Sequence, residues 1–152
     1  MPGVDSTPPA RRSRAISAGS ARRADPRRKL GRLGEQAAAA HLERLGYAIV
    51  ARNVRTRYGE IDLIAFGQDT LVFVEVKSRR ARSPATAASG EHEPLAWLRP
   101  RQRLRVRRLA TAWLADRERE RPRANDVRFD AIGVVLDRRE RLVRLDHIEN
   151  AW

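Results

Sequence analysis

Four charged side chains fall at alternating positions in two neighbouring apolar runs: Glu60 and Asp62 in "GEIDLIAF", Glu75 and Lys77 in "LVFVEVKS". Gly67-Gln68-Asp69-Thr70 separates the runs and reads as a hairpin turn. With the turn centred between Gln68 and Asp69, Phe66 faces Leu71 and Asp62 faces Glu75. Directly opposed residues carry Cβ atoms about 5 Å apart on one side of a sheet. Two carboxylates at that separation repel. A divalent cation relieves the repulsion, and Mg²⁺ is satisfied by one or two carboxylates while it keeps several waters. The strand period of two puts Lys77 beside Glu75, with Glu60 opposite it. Ile61, Leu63, Val74 and Val76 then point to the other face, which is suitably apolar for a core. A turn with an odd number of residues would slip this register and loosen the cluster.

The lysine is informative because lysine is rare here. Of 32 basic side chains, 30 are arginine and two are lysine, Lys29 and Lys77. A lysine amine can lose its proton when desolvated, or act as a compact charge beside a water and a phosphate; arginine stays charged. An amine next to a metal-activated water suits phosphodiester cleavage. The alternative is an ordinary ion pair with Glu60 and Glu75. Glu35 is a further candidate: Glu35, Ala38, Leu42 and Leu45 recur at i, i+3, i+7 and i+10, a helical stripe that would aim the carboxylate at Asp62 and Glu75. An acid in a first helical turn also serves the helix dipole without any site. His41 reads as a partly buried or surface residue, and Asp130 as a structural acid paired with Arg128 or another arginine.

The elements that must position these residues are legible from pattern. "LGRLGEQAAAAHLERLG" predicts a helix closed by Gly46, and "YAIVARNV" a strand. The hairpin follows. Residues 80–99, rich in Ala, Ser, Gly and Pro, read as a long loop. Pro100 suits the first position of a helix reaching about Arg117, with Val106, Leu109, Ala110, Trp113 and Leu114 as its apolar stripe. Its Arg101, Arg105 and Arg108 offer either a phosphate-facing surface or a plain solvated face. "VRFDAIGVVLD" and "RLVRLDHIE" complete the chain as strands. A mixed sheet flanked by helices is the natural assembly.

Composition narrows the class. The chain of 152 residues suits one domain with a sizeable core. Its net charge is +13; residues 1–30 hold eight basic and two acidic side chains, +6, leaving +7 for the other 122. Basic character in both parts points to a polyanionic partner, nucleic acid ahead of an anionic membrane surface. An arginine-favouring genome would give the same charge without one. The absence of cysteine removes disulfides, thiolate metal sites and cysteine nucleophiles, in keeping with a reducing compartment. No apolar run approaches the roughly 20 residues that span a membrane. The leader lacks the apolar stretch of a secretory signal. Residues 1–29 are therefore expected as a disordered basic tail and 30–152 as the folded domain.

"LGRLGEQAAAAHLERLGYAIVARNVR", then "GEIDLIA", "LVFVEVKSRR" and "VRFDAIGV", resembles the YraN family of small bacterial endonuclease-like proteins across roughly residues 30–152. The resemblance implies an α/β, restriction-endonuclease-like fold: a central mixed sheet of about five strands flanked by helices, akin to archaeal Holliday junction resolvases. Carried over, Asp62 and Glu75 would ligate Mg²⁺ or Mn²⁺, and Lys77 would orient or activate the attacking water. Glu35 would be the helical acid assisting metal or water, with Glu60 as an accessory. Arg79, Arg80, Arg101, Arg105 and Arg108 would contact nucleic acid. The expected activity is cleavage of DNA, branched or single-stranded; the alternative is a non-catalytic nucleic-acid-binding module on the same fold. A cytoplasmic, nucleoid-associated protein is implied, and resolvase-type cutting would favour a homodimer. The family lysine near the start of the second long helix is replaced here by Arg101.

Overall fold

The computed structural model describes residues 25–83, 100–116 and 118–151. Helix α1 spans Pro26–Arg44. It starts ahead of the expected Leu30 because Asp25 and Pro26 form a complete start signal: the Asp25 carboxylate accepts the Arg27 N–H at 3.0 Å, and proline occupies the first turn, where no N–H is needed. The expected tail up to residue 24 lies outside the described residues. The helix ends in a Schellman motif. Gly46, with φ of 89°, donates its N–H to the Glu43 carbonyl, and Tyr47 donates to Leu42, both at 3.0 Å. Tyr47 therefore folds back into the core beside Leu42, whereas Leu45, expected on the buried stripe, is 46% exposed. The chain leaves the helix one residue too early for Leu45 to reach the sheet.

The strands are β1 (Ala48–Thr56), β2 (Gly59–Gly67), β3 (Thr70–Arg80), β4 (Asp126–Leu136) and β5 (Leu142–Ile148), with helix α2 (Pro100–Ala115) between β3 and β4. The five strands lie in sequence order in one sheet. β3 and β4 run parallel through the α2 crossover, and every other pair is antiparallel. The expected α/β class and mixed sheet are thus the observed ones, in keeping with a nuclease-like fold. Residues 84–99 of the expected long loop lie outside the described residues.

β3 is the centre of the protein. Leu71 through Val76 are all buried, as befits a strand covered on both faces. Val72, Val74 and Val76 join Leu63, Ile132 and Val134 beneath Ala38, Ala39 and Leu42 of α1. Leu71 and Phe73 join Val54, Ile61 and Ile64 against Leu109, Ala110 and Trp113 of α2. Full burial of such side chains contributes roughly 1.5–3 kcal/mol each. Phe73 and Trp113 meet edge to face at 5.5 Å, an arrangement that adds about 0.5–1.5 kcal/mol. Among the described residues, no helix is long and apolar enough to cross a membrane.

Candidate active site

The β2–β3 register follows the turn as expected: Phe66 pairs with Leu71 and Leu63 with Val74. The ladder stops there. At the next position Asp62 and Glu75 are not paired through their backbones; the Asp62 Oδ2 accepts the Val76 N–H at 2.7 Å. A side-chain carboxylate has taken the place that a backbone carbonyl would fill, and the two strands fork.

Two expectations fail at this fork, for one reason. β2 stays with β1 down to Thr56↔Gly59 and turns away from β3. Glu60 is consequently the partner of Arg55 and does not face Lys77 across the ladder. Ile61 joins Val54 and Phe73 on the α2 side, while Leu63 lies on the α1 side, so the two do not share a face.

Glu75 is 5% exposed, and its Oε1 accepts a hydrogen bond from the Lys77 Nζ at 2.7 Å. This pair lies along one strand face, as the period of two requires. Burial pushes the Asp62 carboxyl up to about 7, and the charges of Glu75 and Glu35 push in the same direction. The Val76 N–H and the Lys77 charge oppose them. Glu35 of α1 and Glu75 and Lys77 of β3 therefore all act on Asp62 of β2. Gly34 makes this convergence feasible: a Cβ there would overlap the Ser78 hydroxyl, so only glycine lets the middle of α1 come this close to β3.

A carboxyl that resists ionisation beside a second, buried carboxylate is a donor set a hard divalent cation would relieve. Among the described residues, no group of three or more His, Asp or Glu side chains is disposed to hold a metal ion. The fit rests on Asp62 and Glu75 as a two-carboxylate pair completed by water, with Glu35 acting through its charge.

The arginines separate into two groups. Arg80 ion-pairs with Glu140 at 3.3 Å, beside Lys29 at 2.7 Å, and so belongs to the β4–β5 turn. Arg79 is half-buried on β3. Arg101, Arg105 and Arg108 line a separate groove with Tyr58 and Leu104. The expected Asp130–Arg128 pair is present, with bonds of 2.9 and 2.8 Å. What surrounds it is not legible in the sequence. His147 Nε2 lies 2.9 Å from Asp130, and His147 Nδ1 lies 3.2 Å from His41 Nε2. Each partner is remote in sequence, and no spacing rule connects them.

A five-stranded α/β protein with an acidic, lysine-bearing fork midway along its central strand is the class defined so far. The model of the uncharacterised protein family UPF0102 matches residues 34–134, and the chain belongs to that family, the one called YraN above. It is 41% identical to a UPF0102 protein of Pelotomaculum thermopropionicum over 129 residues, 85% of this chain and 99% of the relative. A UPF0102 protein of Parafrankia sp. is 44% identical over 124 residues, 82% of this chain and 96% of that one. One from Corynebacterium efficiens is 42% identical, covering 81% and 91%.

Proposed function

We propose that the protein is a Mg²⁺- or Mn²⁺-dependent endonuclease that hydrolyses phosphodiester bonds in DNA. The observation that carries this reading is the fork itself. Glu75 is buried and Asp62 half-buried, with no guanidinium among the hydrogen bonds described for them, and the Asp62 carboxyl is driven up to about 7. Such a site is poorly arranged for stability and well arranged to receive a cation. A bound ion would supply Lewis-acid stabilisation of charge at the scissile phosphate. Asp62 and Glu75 would hold it, and Asp62 must be ionised to do so. Lys77 would present a compact charge to the attacking water or a phosphate oxygen, a role the broad guanidinium fork of arginine does not reproduce. Glu35 would keep the cluster negative enough to favour the cation. Paired incision of a branched substrate would require two such sites, hence a homodimer, which light scattering would detect.

A second reading draws on a specific observation. The Lys77 amine sits on Glu75 Oε1 at 2.7 Å, an oxygen the cation would need. On this reading the pair is a fixed internal ion pair and the protein binds nucleic acid without cutting it.

Incubating the protein with linear, nicked, single-stranded and four-way-junction DNA, with and without Mg²⁺ or Mn²⁺, separates the two. Cleavage by the wild type that Asp62→Asn and Lys77→Ala abolish is the expected result. No cleavage of any substrate with either metal, alongside salt-sensitive binding, would establish the second reading.

A further inference from the structure

We propose that the groove between the β1–β2 turn and α2 is a subsite for one unpaired nucleobase, with Tyr58 as its stacking surface. The inference rests on the nucleic-acid reading above and narrows the substrate to single-stranded or locally unpaired DNA. Tyr58 is 48% exposed and Leu104 64% exposed. Both line one groove of about 270 Å³ with Arg101, Arg105 and Arg108, and no carboxylate lines it among the described residues. That volume lies below the roughly 300–1,000 Å³ of whole-ligand pockets and is on the scale of one ring system.

The platform is held in place. The Thr56 hydroxyl accepts the Tyr58 N–H and donates to the Gly59 carbonyl, both at 3.1 Å. The Arg57 guanidinium lies 4.7 Å from the Tyr58 ring centroid. Gly59, at φ of 132°, adopts a conformation that side-chain-bearing residues avoid, and a Cβ there would lie 3.3 Å from Arg105 Nη2. Glycine thereby lets the α2 guanidinium close over the turn. Phosphate contact alone would need only the arginines. An exposed aromatic and an exposed leucine among them add nothing for a duplex, whose bases are stacked inward, but offer an unpaired base a π face and an apolar wall. Tyr58 precedes Asp62 by four positions, about 13 Å along an extended strand and about four duplex steps. One strand could reach both.

The test is fluorescence anisotropy in EDTA, where cleavage plays no part. The probes are a labelled oligothymidylate, a blunt duplex, and a strand of the same length carrying abasic sites. Tyr58→Ala is expected to weaken oligothymidylate binding by roughly 5- to 150-fold, from the usual effect of removing one stacking aromatic. Its affinity for the duplex and the abasic strand should stay at the wild-type value, and Tyr58→Phe should bind all probes normally. Arg105→Ala should weaken all of them and flatten the single-strand salt slope by about 0.7. The subsite is refuted if Tyr58→Ala binds oligothymidylate normally, or weakens every probe equally. Wild-type protein that binds no probe at low salt would refute it together with the nucleic-acid reading, leaving the groove to a protein partner. Base-dependent binding by a protein that never cuts would uphold the subsite and defeat only the nuclease assignment.

Discussion

Asp62 and Lys77 bring an acid and an amine to the fork, and each yields a test of its own. The Asp62 carboxyl is raised from 3.8 to about 7 on folding, so the folded chain holds a proton that the unfolded chain releases. The stability of the metal-free protein at this group is therefore complete below pH 3.8 and lost as pH rises through 7. Asp62→Asn removes that loss while its amide oxygen can still accept the Val76 N–H. Relative to wild type, the variant should gain roughly 1–3 kcal/mol between pH 5 and pH 8 in urea unfolding without metal. A stability difference that is the same at both pH values would show that Asp62 does not titrate in this way. Mg²⁺ favours the ionised form, so it should raise the melting temperature of wild type more at pH 8 than at pH 5, and leave Asp62→Asn unmoved. Lys77→Arg keeps the charge beside Glu75, and its thermal unfolding should match wild type. Cleavage should nonetheless fall by about 10²- to 10³-fold, the usual worth of one well-placed charge-stabilising donor. Undiminished cleavage would return Lys77 to the rank of a salt-bridge partner.

At the level of elements, the hairpin was legible because its turn and its apolar alternation agree on one register. Asp62, Glu75 and Lys77 were placed together for the same reason. The fork was not legible. Where a ladder ends depends on competition between two neighbouring strands, and β2 follows β1 past Leu63. That competition carried Glu60 to Arg55 and turned Ile61 towards α2. Leu45 misled similarly, since its helical spacing was correct but the Schellman ending handed its place to Tyr47. The approach of α1 to β3 was hidden too, because "GRLGEQ" shows a glycine but not what that glycine touches. Gly34→Ala tests the approach through opposing effects. Helix propensity alone would stabilise the variant by roughly 1 kcal/mol. Against that, the new Cβ would overlap the Ser78 hydroxyl and lie 2.7 Å from the Ser78 Cβ, within a packed layer. Overpacking of this kind costs about 1–3 kcal/mol, so a net loss is expected in urea unfolding, with part recovered by adding Ser78→Gly. A variant more stable than wild type would mean that α1 does not depend on this contact.

For the molecule as a whole, one buried carboxylate joins elements that the chain order keeps apart. Asp130 of β4 is fully buried and accepts two bonds from Arg128, one from the Asn150 N–H at 3.0 Å and one from His147 of β5. His147 continues to His41 of α1, and Arg128 lies over the Tyr47 ring at the start of β1. With Asp130 ionised, His147 donates from Nε2, so its Nδ1 accepts and His41 donates; two neutral imidazoles satisfy the whole chain. Burial alone would raise the Asp130 carboxyl, but the bonds from His147, Arg128 and Asn150 outweigh it and hold the group below its usual range. Burial, followed by His147 and Arg44, lowers His41. Both shifts have the same sign for stability. The His41 contribution is present above pH 6.5 and declines below it, and that of Asp130 is present above 3.8 and is lost as pH falls through its depressed folded value. Breaking a buried pair costs about 3–5 kcal/mol out of a typical domain total of roughly 5–15; Arg128, 20% exposed, keeps its ion pair with Glu149 at 3.2 Å, which sets the loss here at the lower end of that range. Asp130→Asn should therefore lose about that much in urea unfolding, and hydrogen exchange should quicken in β5 before it does in β2 and β3. Replacing both partners, Arg128→Met with Asp130→Leu, should recover part of the loss because no charge is then left buried alone. If Asp130→Asn lies within about 0.5 kcal/mol of wild type, the range of an ordinary surface change, β5 is held by its ladder to β4 alone and the network has no structural role.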